Sequence, residues 1–284
     1  MMRAWLALLS SALLWSTSFA VIRGALNHWP SVPLLTGRFL IAGLIALALL
    51  ARRSRGLQIL RHPAVVFLGV INALGFYAQF RGQETVSAAT AAFLINTYVV
   101  YVGLLAYPLL REPLTPLQGL SVALAIPGVY LLSREPGVPW GLHLSSGALW
   151  ILGASWVWAL YILYSRRAVK RLDATEVALG VMVWTLVPLL VFVPSTLPYF
   201  GRPGFLLVAG YLGIFCSLVP YFLYVYGLQR VPAVPASVVL LLEMVLGALW
   251  GILFLQEHLQ RAQWLGALLI LAAVGLQFLS AGEP

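Results

Sequence analysis

Ten apolar runs, each about the length of a bilayer crossing, take up almost the whole of this sequence, and few folds can accommodate that pattern. A helix spanning the hydrocarbon core needs about 20 mostly apolar residues. The runs are Ala4–Ile22, Val32–Leu50, Pro63–Phe80, Val86–Leu110, Thr115–Leu132, Leu144–Ser165, Ala174–Pro194, Phe205–Gly227, Pro235–Leu255 and Ala262–Ser280. Charges, Pro/Gly clusters or both separate them, and no soluble domain fits in the loops that remain. The composition of 62% apolar and 9% charged residues would leave a soluble fold, usually about 25% charged, without enough polar surface. Barrel strands are about 10 residues long with alternating polarity, whereas these runs are continuously apolar. The expected fold is an all-α integral membrane protein of ten transmembrane helices.

The N-terminal MMRAWLALLSSALLW has the lone Arg and apolar core of a signal peptide. The run continues through Phe19, Val21 and Ile22, however, so it is read as the first span. Lys and Arg number eleven in one set of alternating loops and five in the other. By the positive-inside rule both termini are cytoplasmic. The formal charge of +9 is thereby explained by topology, and a chain this apolar is not a nucleic-acid binder. The single cysteine, Cys216, excludes a disulfide framework and a cysteine metal site.

The chain also repeats itself. A shift of 145 positions aligns Gly82 with Gly227, Ala91 with Ala236, Val100 with Val245 and Glu112 with Glu257, giving ten identities over 37 positions. A two-residue gap then brings Gly119 and Gly128 onto Gly266 and Gly275. The units expected are residues 1–133 and 144–280, five spans each. An odd number of spans makes the second unit enter the membrane from the opposite side. Such an inverted repeat serves alternating access around a midplane site.

Ten spans as five plus five, LLWSTSFAVIRG in span 1, GRFLIAG in span 2, and Glu112 and Glu257 closing spans 4 and 9 before Gly-rich spans resemble the drug/metabolite transporter superfamily. The chain is similar to exporters built from two EamA repeats. WST near residue 15, the Asn96 region and WVWALY in span 6 look most like the aromatic amino acid exporters. The resemblance implies that spans 1, 3, 4, 6, 8 and 9 line a central cavity and that 5 and 10 are peripheral. Many relatives carry a proline midway along spans 4 and 9, where this chain has Tyr98/Val99 and Glu243/Met244.

Two ionisable residues lie well inside spans, Arg38 and Glu243, and intramembrane charges are functional candidates by default. Arg38 is about two turns from the outer end of span 2 and can snorkel to the headgroups; a gate charge is the alternative. Glu243 lies too deep to snorkel. It is either the counter-charge for a substrate amine, a proton carrier, or a neutral group hydrogen-bonded between helices. Helical spacing puts further candidates on shared faces: Trp15 and Phe19 with Ser16 nearby, Phe76 and Gln79 with Tyr77 alongside, Trp158 and Tyr161, and Tyr221 and Tyr224. Asn96 lies in span 4. Aromatic walls favour flat apolar side chains and hold ammonium groups by cation–π attraction, and Asn96 or Ser16 can donate to a carboxylate. Packing is the ordinary role of such stripes, and Trp5, Trp29, Trp140, Tyr199 and Trp264 read as interfacial anchors.

The four histidines lie in loops or at span ends without metal-ligand spacing, and no Ser/His/Asp set or P-loop occurs. No enzymatic activity, cofactor or metal is expected. The expectation is a bacterial inner-membrane transporter that exports amino acids, aromatic ones included, and related amphipathic metabolites by alternating access. The alternative is a proton-coupled, broad-specificity cation or drug exporter using Glu243. The partners expected are a small-molecule substrate, the lipid bilayer and, on the alternative, protons.

Overall fold

A computed structural model describes residues 1–54, 56–86, 88–133, 145–255 and 258–280. Fourteen α-helices carry the chain among these residues, with no strand. In order they are α1 (Met2–Leu26), α2 (Ser31–Ala51), α3 (Pro63–Gln83), α4 (Ala88–Asn96), α5 (Tyr98–Leu110), α6 (Pro116–Leu132) and α7 (Ser146–Val169). There follow α8 (Ala174–Leu189), α9 (Val193–Phe200), α10 (Pro203–Gly213), α11 (Val219–Leu228), α12 (Ala233–Leu240), α13 (Leu242–Leu255) and α14 (Arg261–Ser280). Eight described stretches are long and apolar enough to cross a bilayer, and Pro116–Leu132 is a shorter apolar helix. The protein is a multi-pass membrane protein.

More helices than runs appear because four runs are interrupted. The run expected over Val86–Leu110 breaks at Thr97, and the run over Pro235–Leu255 breaks at Leu241. Neither break has a proline at its centre. At Thr97 the side-chain hydroxyl returns to the Leu94 carbonyl at 2.7 Å and also meets Ser155 Oγ at 2.9 Å, so a side chain competes with the helix ladder. The Val100 amide closes back onto Thr97 O. At Leu241 the amides of Leu241 and Met244 bond three residues back, to Val238 O and Leu241 O, which tightens the backbone locally. The third interruption is a π-turn over Ile214–Leu218 between α10 and α11. The fourth run goes beyond its expected end at Pro194: a 3-10 turn over Leu190–Phe192 joins α8 to α9, which ends at Phe200.

The main packing partners come from opposite halves of the sequence: α6 with α14, α3 with α7 and α8, α2 with α8 and α10, and α1 with α11 and α13. The contact between α6 and α14 depends on small residues, because Gly128 and Gly266 lie against each other's backbone. Ser121 donates to Ala273 O at 2.7 Å across the same contact. Small residues permit close approach where lipid supplies no hydrophobic driving force.

At one end, Glu112 ties three elements together. Arg111 takes a left-handed backbone (φ 56°) that ends α5. The Glu112 carboxylate then accepts from Arg166 Nε at 2.9 Å, Lys170 Nζ at 2.8 Å and the Ala233 amide at 2.9 Å. It thus satisfies an unpaired amide at the start of α12. Its repeat partner Glu257 lies outside the described residues.

Candidate functional site

A partly open cavity of about 100 Å3 lies between the helices. Its walls come from α1 (Trp15, Ser18, Ile22), α2 (Arg38), α3 (Phe76, Gln79), the break between α4 and α5 (Ile95, Tyr98), α7 (Trp158, Tyr161, Ile162), α11 (Tyr221, Tyr224) and the break between α12 and α13 (Leu240, Glu243).

These walls follow the internal repeat. The 145-residue shift pairs Phe76 with Tyr221, Gln79 with Tyr224, Ile95 with Leu240 and Tyr98 with Glu243. A shift of 143 pairs Trp15 with Trp158 and Ser18 with Tyr161. Equivalent positions of the two halves therefore face one space. Both helix breaks fall beside it. Tyr98 opens α5, and Glu243 lies in the first turn of α13, where the helix dipole leaves a partial positive charge.

The aromatic rings form one connected wall. Trp15 meets Tyr221 edge-on at 5.5 Å and Tyr224 at 5.7 Å. Tyr161 contacts both tyrosines and Trp158, and Trp158 meets Phe76 at 4.8 Å. Tyr221 is fixed by a buried relay: its hydroxyl donates to Asn72 Oδ1 at 2.5 Å, Asn72 Nδ2 to Thr185 Oγ1 at 2.8 Å, and Thr185 to Val181 O at 2.7 Å. The hydroxyls of Tyr161 and Tyr224 are both buried beside Ser165.

Arg38 does not snorkel. It is 2% exposed, with Nε on Ser217 Oγ at 2.6 Å and Nη2 on Cys216 O at 2.5 Å. That carbonyl is available because Pro220, four residues on, has no amide hydrogen to donate to it. The π-turn and the proline thus create a buried acceptor, and the arginine satisfies it. The guanidinium also lies 4.6 Å from the Phe76 ring centre. Arg38 brings α2 into the lining, beyond the six spans that the resemblance implied.

Of the residues proposed from sequence, Trp15, Phe76, Gln79, Trp158, Tyr161, Tyr221, Tyr224 and Glu243 line the cavity. Ser16, Tyr77 and Asn96 are placed elsewhere. Ser16 bonds back to Leu13 O and accepts from Trp250 Nε1 at 2.8 Å, facing α13. Tyr77 is about 100° round the helix from Phe76 and stacks on Phe192. Asn96 is fully buried at the end of α4, and the break after it turns Ile95 and Tyr98 to the cavity instead. The Phe19 side chain lies outside the described ones. Sequence reasoning passed over Tyr98 as a lining residue and left Arg38 between a snorkelling and a gate charge. The repeat register held the signal for Tyr98, since it pairs that residue with Glu243. For Arg38 the charge within a span was the signal, but the anchor that turns it inward is in another helix.

A family model described as the EamA-like transporter family matches residues 2–134 and again 145–279. Among curated relatives, a protein of Archaeoglobus fulgidus named only as a transporter is 24% identical over 96% of this chain and 98% of its own length. The S-adenosylmethionine/S-adenosylhomocysteine transporter of Chlamydia trachomatis serovar L2 is 28% identical over 87% of this chain and 80% of its own. The inner membrane transporter YedA of Escherichia coli K12 is 25% identical over 95% and 89%. One solved crystal structure superposes with a TM-score of 0.81 at 21% identity, covering 99% of this chain and 98% of that one, a likeness of fold. With both halves matched by the same family model, and with relatives named as transporters, the chain belongs to the EamA-like transporter family.

Proposed function

We propose that this transporter exports amino acids, aromatic ones included, and related amphipathic metabolites across a bacterial inner membrane by alternating access. On this reading the chain makes ten spans as two inverted halves, residues 1–133 and 144–280, with both termini in the cytoplasm. The observation that carries it is the cavity walled by the aromatic rings of Trp15, Phe76, Trp158, Tyr161, Tyr221 and Tyr224, to which both halves contribute. Flat apolar side chains stack on such walls. A nucleotide or sugar phosphate would call for several buried cations, and one lines the cavity among the described residues. The substrates named for the Chlamydia relative also end in an amino acid's ammonium and carboxylate.

Uptake of a labelled amino acid panel into liposomes holding the purified protein, with and without an imposed pH gradient, tests the reading. Saturable flux of aromatic amino acids without a gradient is expected; its absence would sink the proposal. A second reading, proton-coupled export of organic cations, is favoured by Glu243, which lines the cavity with no ion pair among the described residues. On that reading cation flux follows the gradient, and Glu243→Gln, which keeps the shape of the acid, abolishes the dependence.

A further inference from the structure

A basic and an acidic side chain, Arg38 and Glu243, lie in the cavity wall, and the repeat explains neither. Glu243 pairs by position with Tyr98, and Arg38 has no counterpart among the described lining residues. An aromatic cavity that obeyed the repeat would be the same at both ends. These two departures give it a positive and a negative contact.

The two side chains do not pair with each other, and no described carboxylate ion-pairs with Arg38. A guanidinium carries five N–H donors. Arg38 places one on Ser217 and one on Cys216 O, which leaves three on a rigid, anchored fork. Planar forks suit bidentate contact with a carboxylate. Glu243, which only accepts when ionised, suits an ammonium. Holding two unpaired charges in an apolar bundle is costly, and a guest carrying both complementary charges relieves both costs together. A simple organic cation would meet Arg38, and a simple anion would meet Glu243.

We propose that Arg38 and Glu243 are a two-point clamp for a zwitterion, Arg38 taking the α-carboxylate and Glu243 the α-ammonium, while the side chain lies against Trp15 and Trp158. This rests on the amino acid reading above and adds which groups decide specificity. It makes transport depend on both ends of the amino acid, not on the aromatic ring alone.

The test is competition in proteoliposomes against labelled phenylalanine, using unlabelled phenylalanine, its amide (ammonium kept, carboxylate removed) and its N-acetyl derivative (carboxylate kept, ammonium removed). The native protein should prefer phenylalanine to each analogue by about tenfold or more, the worth of a hydrogen bond to a charged group. Glu243→Gln should lose the preference over the N-acetyl derivative and keep that over the amide; Arg38→Gln should do the reverse. Because Arg38 also ties α2 to the π-turn, Arg38→Lys gives a second reading: it keeps the charge, loses the fork, and should weaken phenylalanine while leaving the amide unchanged. Quenching of tryptophan fluorescence by the same three compounds follows binding apart from flux. Phenylalanine transport without discrimination, or equal losses for all three compounds in both variants, would overturn the clamp while the transport reading stands. Native protein that moves no amino acid would overturn both.

Discussion

At the scale of single residues, Trp158 is the side chain that joins the two halves of the aromatic wall, edge-on to Phe76 on one side and to Tyr161 on the other. An aromatic pair is worth about 0.5–1.5 kcal/mol beyond burial. Trp158→Ala should therefore raise the half-saturating concentration of aromatic amino acids by about two- to tenfold, with a much smaller effect on aliphatic ones, as kinetic uptake would show. Equal losses for both classes would mark Trp158 as a packing residue. The stripes that named Trp158, Tyr161, Tyr221 and Tyr224 were legible because those faces lie on unbroken helical turns, where 3.6-residue spacing sets direction. Asn96 lies next to a break, and there the spacing stops predicting the face. Of the two readings open for Arg38, snorkelling fails for another reason: its acceptor, Cys216 O, lies 178 residues away in sequence and is freed by Pro220, and no local pattern records that.

At the scale of elements, Glu112 holds the end of α5 to α7 and to the first amide of α12. Burial alone would raise its carboxyl, but hydrogen bonds from Lys170, the Ala233 amide and Arg166 outweigh burial and hold it below the ordinary 4.5. A carboxyl that is more acidic folded than unfolded stabilises the fold above its unfolded value and loses that contribution as pH falls through the folded one. Glu112→Gln should therefore lower stability at neutral pH by roughly 1.5–3 kcal/mol, the scale of hydrogen bonds to a charged group. The gap between variant and native protein should close as pH drops below about 4.5, as thermal unfolding in detergent would read. A gap that is the same at every pH would assign the effect to shape alone. The contact of α6 with α14 makes a different prediction. A Cβ on Gly266 would lie 2.4 Å from Leu132 N and 2.7 Å from Gly128 O, and both are backbone atoms that cannot step aside. Gly266→Ala should cost about 1–3 kcal/mol by overpacking and leave substrate preference unaltered, since neither helix supplies a described lining residue. Unchanged thermal stability would contradict the close approach. The glycines were visible in the sequence, but which backbone each one faces is a property of the assembled bundle.

At the scale of the whole molecule, the pairing of Gln79 with Tyr224 and of Phe76 with Tyr221 across one cavity gives alternating access a geometric form. If the halves are inverted copies packed around a shared space, equivalent positions should become reachable from opposite faces of the membrane as the packing exchanges. Cys216 is the lone cysteine and is buried, so a Cys216→Ser background offers a protein free of other thiols. Gln79→Cys and Tyr224→Cys, introduced singly, should each react with a membrane-impermeant maleimide applied from either side. Phenylalanine should protect both, because both line the same cavity. Labelling of one position only from one face, whatever the substrate, would mean that the cavity opens in a single direction and that the repeat is architecture without exchange. Reaction from both faces, slowed at both positions by one substrate, would tie the 145-residue register in the sequence to the movement that carries a solute across.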